Sequence, residues 1–223
     1  MAEGHRERLR KRMMEENIDE IPEYAVLEMY LHSLIPRRDT GDVARELLRE
    51  FGNLARVVDA PLEELTKISG VGEPTAAQIK MIPYYYRRYL DAKRDGNLMF
   101  SDPFAAGDYL VEKFVGATRE QVYALCMDSG FRVLCCKRVS EGDVSMVPIQ
   151  IRSIIQLVIQ FNAARVVIAH NHLGGNALPS ADDLAVTNRL YTALECMGAR
   201  LDDHLIVADG DYVSLAQSGK LHY

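Results

Sequence analysis

The sequence predicts an α+β protein, with an all-helical N-terminal domain over residues 1–96 and an α/β domain over residues 102–223. Two textures and the seam between them predict it. In the first half apolar residues return at three- and four-residue steps, as in Leu27, Tyr30, Leu31 and Leu34 and again in Val43, Leu47, Leu48 and Phe51, the spacing of one helix face. Beyond Asp102 short apolar runs alternate with helical stretches, as in an α/β arrangement. Between the two, Gly96, Asn97, Ser101 and Asp102 are turn-forming residues suited to a linker beginning at Asp95. A chain of 223 residues also exceeds the usual single-domain size of about 100–200.

Within the helical half, Pro22, Pro36, Gly52 and Pro61 separate the periodic segments into roughly five short helices. Residues 65–79 read as helix, tight turn through Gly70 and Gly72, and second helix, resembling a helix-hairpin-helix. Such hairpins hold a nucleic-acid phosphate on backbone N–H groups at the start of the second helix, where glycine permits close approach. Glu73 sets a carboxylate beside that position, and the same hairpin also serves as a packing or docking element.

Composition narrows the function classes. With 48% hydrophobic and 26% charged residues, the chain is of ordinary globular type. No apolar stretch approaches the roughly 20 residues of a bilayer span, and the start lacks an apolar signal core, so the expected setting is the cytoplasm without membrane attachment. Cys126, Cys135, Cys136 and Cys196 form no C-x-x-C pair, which excludes zinc ribbons and the zinc deaminases and leaves reduced thiols. A net charge of −6 opposes a surface devoted to nucleic acid. Local basic patches exist at Arg6, Arg8, Arg10, Lys11 and Arg12 and at Arg87, Arg88, Lys93 and Arg94, each equally readable as a solvated helix face.

In the second half, strands are expected over residues 121–128, 132–139, 164–169 and 204–208, and helices over 104–114, 152–161 and 181–197. The third strand ends in His170-Asn171-His172. Alternation puts both imidazoles on one face, at a strand end where a site can open. Gly174 and Gly175 then let the chain fold back to Pro179-Ser180, which opens a helix carrying Asp183 one turn in. Two His and a carboxylate suit Zn²⁺, and three protein ligands leave the fourth position to water. Ser180 and Asp183 alone would be read as a helix cap, and either histidine alone as an ordinary one. The joint order, His-x-His, seven residues, Ser, two residues, Asp, makes His170, His172 and Asp183 the candidate metal ligands.

Those residues match the signature of the JAB/MPN (JAMM motif) metalloproteases, and the chain resembles their bacterial RadC branch over nearly its full length. Residues 4–9, 35–40 and the helix-hairpin-helix carry the likeness, as do Asp203-His204-Leu205-Ile206-Val207 and Tyr212-Val213-Ser214. The resemblance implies a cytidine-deaminase-like α/β sandwich with a zinc hydrolase centre of isopeptidase type. It also implies a glutamate, at the start of an early strand, that shuttles the proton of the attacking water. Glu120 fits that place, with Glu141 as the weaker substitute, and Ser180 becomes the donor to the developing oxyanion. Leu173 and Gly174 depart from the family's usual Pro-Ser, and Ile151-Arg152-Ser153-Ile154 from its Pro-Arg-Glu-Ile. His204 reads either as support for the metal site or as a structural strand histidine.

The expected activity is therefore a zinc-dependent hydrolase acting on a peptide or isopeptide bond of a protein or peptide substrate. A nucleic-acid-associated binding protein, touching DNA through Gly70 and Gly72 with a structural or residual metal, is the alternative. A catalytically inert docking protein is the third. An HNH nuclease is excluded, since its named residues are spread over a hairpin and helix rather than consecutive on a strand.

Overall fold

The structure is a computed structural model that describes residues 2–15, 17, 20–36, 39–94, 96–142 and 149–221, with side chains for all of these except 2, 3, 5, 6 and 103. Arg37, Arg38 and Asp95, and the side chain of Arg6, lie outside the described residues. The chain divides into two compact units, Met1–Tyr86 and Arg87–Tyr223.

The first unit is helical, as its periodicity predicts: α1 (Ala2–Glu15), α2 (Glu23–Leu34), α3 (Gly41–Phe51), α4 (Leu54–Asp59), α5 (Leu62–Leu65) and α6 (Glu73–Lys93), the last running on into the second unit. The helices start and stop at the expected breaks. Pro22 and Pro61 are N-caps of α2 and α5, and Gly52 ends α3 at φ 97°, a left-handed position that glycine occupies without steric cost. Asn53 caps α4 by accepting from the Arg56 N–H at 2.9 Å. Leu27, Leu31, Leu47, Val57, Leu65 and Ile79 are buried together in the core of this unit, each such side chain contributing about 1.5–3 kcal/mol on leaving water. Pro83 sits inside α6 without ending it.

The hairpin differs in detail from the expectation. Its first helix is the short α5, and residues 66–70 form turns closed by i→i+3 bonds such as Ile68 N–H to Leu65 O at 3.2 Å. Gly70, at φ 98°, closes the turn, so helical periodicity cannot run from Leu65 through Ser69.

The second unit is a five-stranded sheet in the order β2-β1-β3-β4-β5. Its elements are a 3₁₀ turn (Pro103–Ala105), α7 (Ala106–Glu112), β1 (Glu120–Met127), β2 (Val133–Gly142), α8 (Ile151–Phe161), β3 (Arg165–Asn171), α9 (Ala181–Glu195), β4 (Arg200–Ala208) and β5 (Asp211–Ser214). Strands β3 and β4 are parallel, joined through α9, and the other neighbours are antiparallel. Alternation along the strands divides the core into two layers. On one face Val122, Ala124, Cys126, Val166 and Ile168 pack with Ile154 and Val158 of α8 and Leu190 and Leu194 of α9. On the other, Leu125, Met127, Val167, Ala169 and Leu205 pack with Ala106 and Leu110 of α7. Cys135 and Cys136 fall on opposite faces accordingly.

Part of the expected linker is folded. Leu98 O accepts from the Val133 N–H at 2.8 Å and the Phe100 N–H donates to Phe131 O at 3.1 Å. Phe100 is buried in the α7-side core, which ties this segment to the sheet. Strand β5 was legible only as family texture, because a four-residue strand is too short for a periodic signal.

Candidate metal centre

The site lies at the C-terminal end of β3. His170 is the penultimate residue of that strand and His172 follows it directly, its N–H bonded to Val207 O at 2.8 Å, so the β3–β4 pairing continues through the second histidine. The loop from Leu173 turns at Gly175, φ 70°, where an added Cβ would also stand 2.8 Å from Asp209 Oδ2. Asn176 Oδ1 then accepts from the Leu178 N–H at 3.0 Å, and the chain enters α9.

Asp183 serves two ends at once. Its Oδ2 accepts from the Ser180 N–H at 2.8 Å and the Ser180 hydroxyl at 2.6 Å, while Ser180 Oγ accepts from the Asp183 N–H at 3.1 Å. This is a capping box at the start of α9. Its Oδ1 faces His170 Nε2 at 3.2 Å. The cap thus holds the carboxylate with its other oxygen toward His170, so capping and a ligand position are compatible in Asp183.

His170 Nε2 lies 2.9 Å from His172 Nε2, and His172 Nε2 lies 3.8 Å from Asp183 Oδ2. These three residues are the cluster of potential metal ligands found among the described residues. Zinc bonds of about 2.0–2.1 Å in a tetrahedron set ligand atoms about 3.4 Å apart; the two Nε2 atoms are 2.9 Å apart, His170 Nε2 is 3.2 Å from Asp183 Oδ1, and one ligand atom from each residue lies within 4.8 Å of the others. The chemistry of the donors fits as well. His172 Nδ1 is 2.9 Å from Asn176 O; a carbonyl only accepts, so Nδ1 carries the proton and Nε2 a lone pair. Burial, more than the neighbouring His172, drives the His170 imidazole down to about 4, against the pull of Asp183. With Nδ1 of His172 turned to a carbonyl, the two Nε2 atoms face each other at 2.9 Å beside the Asp183 carboxylate, a donor set that suits a cation.

His204 joins the site from β4. Its Nε2 lies 2.8 Å from His170 Nδ1, and its Nδ1 lies 2.6 Å from Thr187 Oγ1 on α9. Fully buried, it is held well below the ordinary histidine range, first by burial and then by His170 and His172. His204 thus stands in direct contact with the candidate ligand His170. Asp203 beside it turns to the other side, accepting from the hydroxyl of Ser214 and from the N–H groups of His204 and Ala216.

Glu120 is the first residue of β1, half-buried. Val122 is paired with His170, so Glu120, two residues back, is on the histidine-bearing face and level with His172. Glu141 pairs with Gln121 on the opposite parity and is bound to Arg138 at 2.6 Å, which removes it as a substitute. Asn171, between the histidines, points to the other face: its Oδ1 accepts from the Gln121 N–H at 2.7 Å and its Nδ2 donates to Arg119 O at 3.2 Å. It thereby clamps the backbone on either side of Glu120. Spacing alone marks Asn171 only as the residue between two ligands, so this role was not legible in the sequence.

Gly70 and Gly72 lie in the other unit, at the turn before α6. Of the second basic patch, Arg87 donates to Lys113 O at 2.9 Å and Arg94 is paired with Glu112, so these two cations are used within the fold. No helix among the described residues is long and apolar enough to cross a membrane.

Comparison with known proteins finds two family matches and close-to-full-length relatives. Residues 100–220 match the RadC-like JAB domain and residues 38–83 the helix-hairpin-helix motif. The chain is 32% identical over 217 residues to a UPF0758 protein of Ruegeria pomeroyi, covering 97% of each chain. It is 33% identical over 215 residues to a UPF0758 protein of Idiomarina loihiensis, covering 96% of each. A third, from Stenotrophomonas maltophilia, is 32% identical over 216 residues, 96% of this chain and 92% of the relative. With a sheet whose β3 end carries the two histidines, a family match over residues 100–220 and relatives 32–33% identical over nearly the whole chain, the chain belongs to the RadC family.

Proposed function

We propose that this protein is a zinc-dependent hydrolase of a peptide or isopeptide bond, working in the cytoplasm on a protein or peptide substrate. The observation that carries the reading is the convergence of His170 Nε2, His172 Nε2 and an Asp183 carboxylate oxygen, with both outer contacts of the carboxylate and the His172 ring already fixed. Zinc held by these three residues would bring the pKa of water toward about 7 and polarise the substrate carbonyl.

The remaining work falls to the chain's own groups. Glu120, on the same sheet face, takes a proton from the attacking water and returns it to the leaving amine, as general base and then acid. Ser180, held at the site rim by the capping box, donates to the developing oxyanion once its hydroxyl rotates away from Asp183 Oδ2. Metal analysis of the purified full chain tests the foundation: stoichiometric zinc is expected, and Asp183→Ala should abolish it. A chain without zinc, or an Asp183→Ala variant that keeps it, removes the hydrolase.

A second reading rests on the helix-hairpin-helix match over residues 38–83. The hairpin would hold a nucleic-acid phosphate near Gly70 and Gly72, aided by the exposed Arg8 and Arg10 of α1. It predicts DNA binding that weakens with salt and is lost on charge reversal of Arg8 and Arg10; no binding at low salt removes it.

A further inference from the structure

His170 and His172 are oriented by different kinds of partner. His172 Nδ1 meets the carbonyl of Asn176, which accepts and nothing else, so its tautomer is settled by one contact. His170 Nδ1 meets another imidazole, His204 Nε2, at 2.8 Å. An imidazole nitrogen is donor or acceptor according to tautomer, so this contact alone leaves His170 unassigned. The assignment comes from further along. His204 Nδ1 lies 2.6 Å from Thr187 Oγ1, and Thr187 Oγ1 lies 2.5 Å from Asp183 O. Two oxygens that close, one of them a carbonyl, require the hydroxyl proton between them, so Thr187 donates to Asp183 O and its lone pairs face His204. His204 must then carry its proton on Nδ1 and present a bare Nε2. His170 donates its Nδ1 proton into that lone pair, and its own Nε2 lone pair is turned to His172 and Asp183.

We propose that Thr187 and His204 are positioning residues: a one-directional hydrogen-bond relay from the Asp183 carbonyl that fixes the tautomer of His170 and so presents its Nε2 as a metal ligand. The relay begins on the backbone of Asp183, whose side chain faces His170. One turn of α9 therefore sets both the carboxylate and, at a distance, the ring opposite it. The inference rests on the metal reading for its purpose but not for its geometry, since the hydroxyl direction at Thr187 is independent of any ion.

The test is made on the full chain. Histidine ¹⁵N spectroscopy, with and without zinc, should find His204 as the Nδ1–H tautomer in both states. Zinc affinity, measured by chelator competition, should fall about tenfold or more in Thr187→Val, which keeps the shape and removes the acceptor, and should be retained in Thr187→Ser. The cobalt-substituted Thr187→Val protein should show an altered d–d spectrum while Thr187→Ser matches wild type. His204 found with its proton on Nε2, or Thr187→Val binding zinc as tightly as wild type, overturns the relay. If the wild-type chain takes up no zinc, the proposed hydrolase fails, and the His204 tautomer in the metal-free chain still decides whether the relay exists.

Discussion

Val122 stands directly opposite His170 in the antiparallel β1–β3 ladder, and that pair is the last of the ladder at this end. Glu120 therefore projects from the histidine face just beyond the paired region, level with His172. Replacing its carboxylate with an amide keeps size and removes the base. Glu120→Gln is expected to retain zinc at wild-type stoichiometry while hydrolysis of a cleavable peptide falls about 10²–10⁴-fold. Cleaved-peptide profiles from a proteome digested by the two proteins make the measurement, and identical profiles would mean that Glu120 takes no part.

Asp183 can be dissected because its two oxygens have different duties. Asp183→Asn keeps an oxygen able to accept from Ser180, so helix α9 should remain capped and the melting temperature nearly unchanged, while zinc affinity drops with the lost charge. Asp183→Ala should lose both, with about 0.5–2 kcal/mol of stability gone from the cap. Ser180→Ala should lose the same cap but keep zinc, and lose about 10²–10³-fold in rate if its hydroxyl serves the oxyanion. Denaturant melts paired with zinc titrations separate these variants.

The spacing of His170, His172, Ser180 and Asp183 was legible because each lies on an element whose period is visible: strand alternation for the first pair, a helix start for the second. His204 was not, and the reason is register. Strands β3 and β4 pair as Val166 with Leu201 but Val167 with Asp203, an irregularity that leaves Asp202 as the extra residue. That one-residue slip turns His204 to the face of His170; regular pairing would have turned it away. Arg165 holds the bulge by a two-pronged bond to Asp202 at 2.7 and 2.8 Å. Nothing in a single sequence marks where a strand slips by one, so the histidine remained ambiguous until the pairing was known. The helical half was legible through its breakers, whereas the exact extent of α5 depended on a three-residue hydrogen-bond pattern that leaves no periodic trace.

Acid should expose the buried histidines. Burial lowers His170 to about 4 from an ordinary 6.5, and it also holds His204 well below that ordinary value. Between those values the unfolded chain takes up protons that the folded chain refuses, so this contribution to stability is complete above about pH 6.5 and declines as pH falls toward 4. Metal-free protein should therefore melt at lower temperature at pH 4.5 than at pH 7, and His170→Gln should flatten that slope. Thermal melts in chelator across this range make the comparison; equal slopes would mean that His170 is not held neutral by the fold. Zinc uptake should weaken only as pH approaches about 4, where protons begin to compete with the metal for the His170 nitrogen.

Asn171 offers the sharpest separation of positioning from binding. It is buried, and its amide satisfies two backbone groups at once, the N–H of Gln121 and the O of Arg119. Beyond Val122 the β1–β3 ladder has no further pair, so this side chain takes over the task of holding the start of β1 beside β3. Asn171→Asp can still accept from Gln121 but has no proton for Arg119 O, and it sets a carboxylate against that carbonyl. Asn171→Ala leaves both backbone groups without their partner, at about 1–3 kcal/mol each if water does not reach them. Zinc affinity should be nearly unchanged in either variant, since His170 and His172 keep their own partners on the other face, while turnover should fall because Glu120 is no longer held at its height above the site. A variant that lost zinc together with activity would show instead that Asn171 supports the histidines, and that the Glu120 backbone needs no clamp.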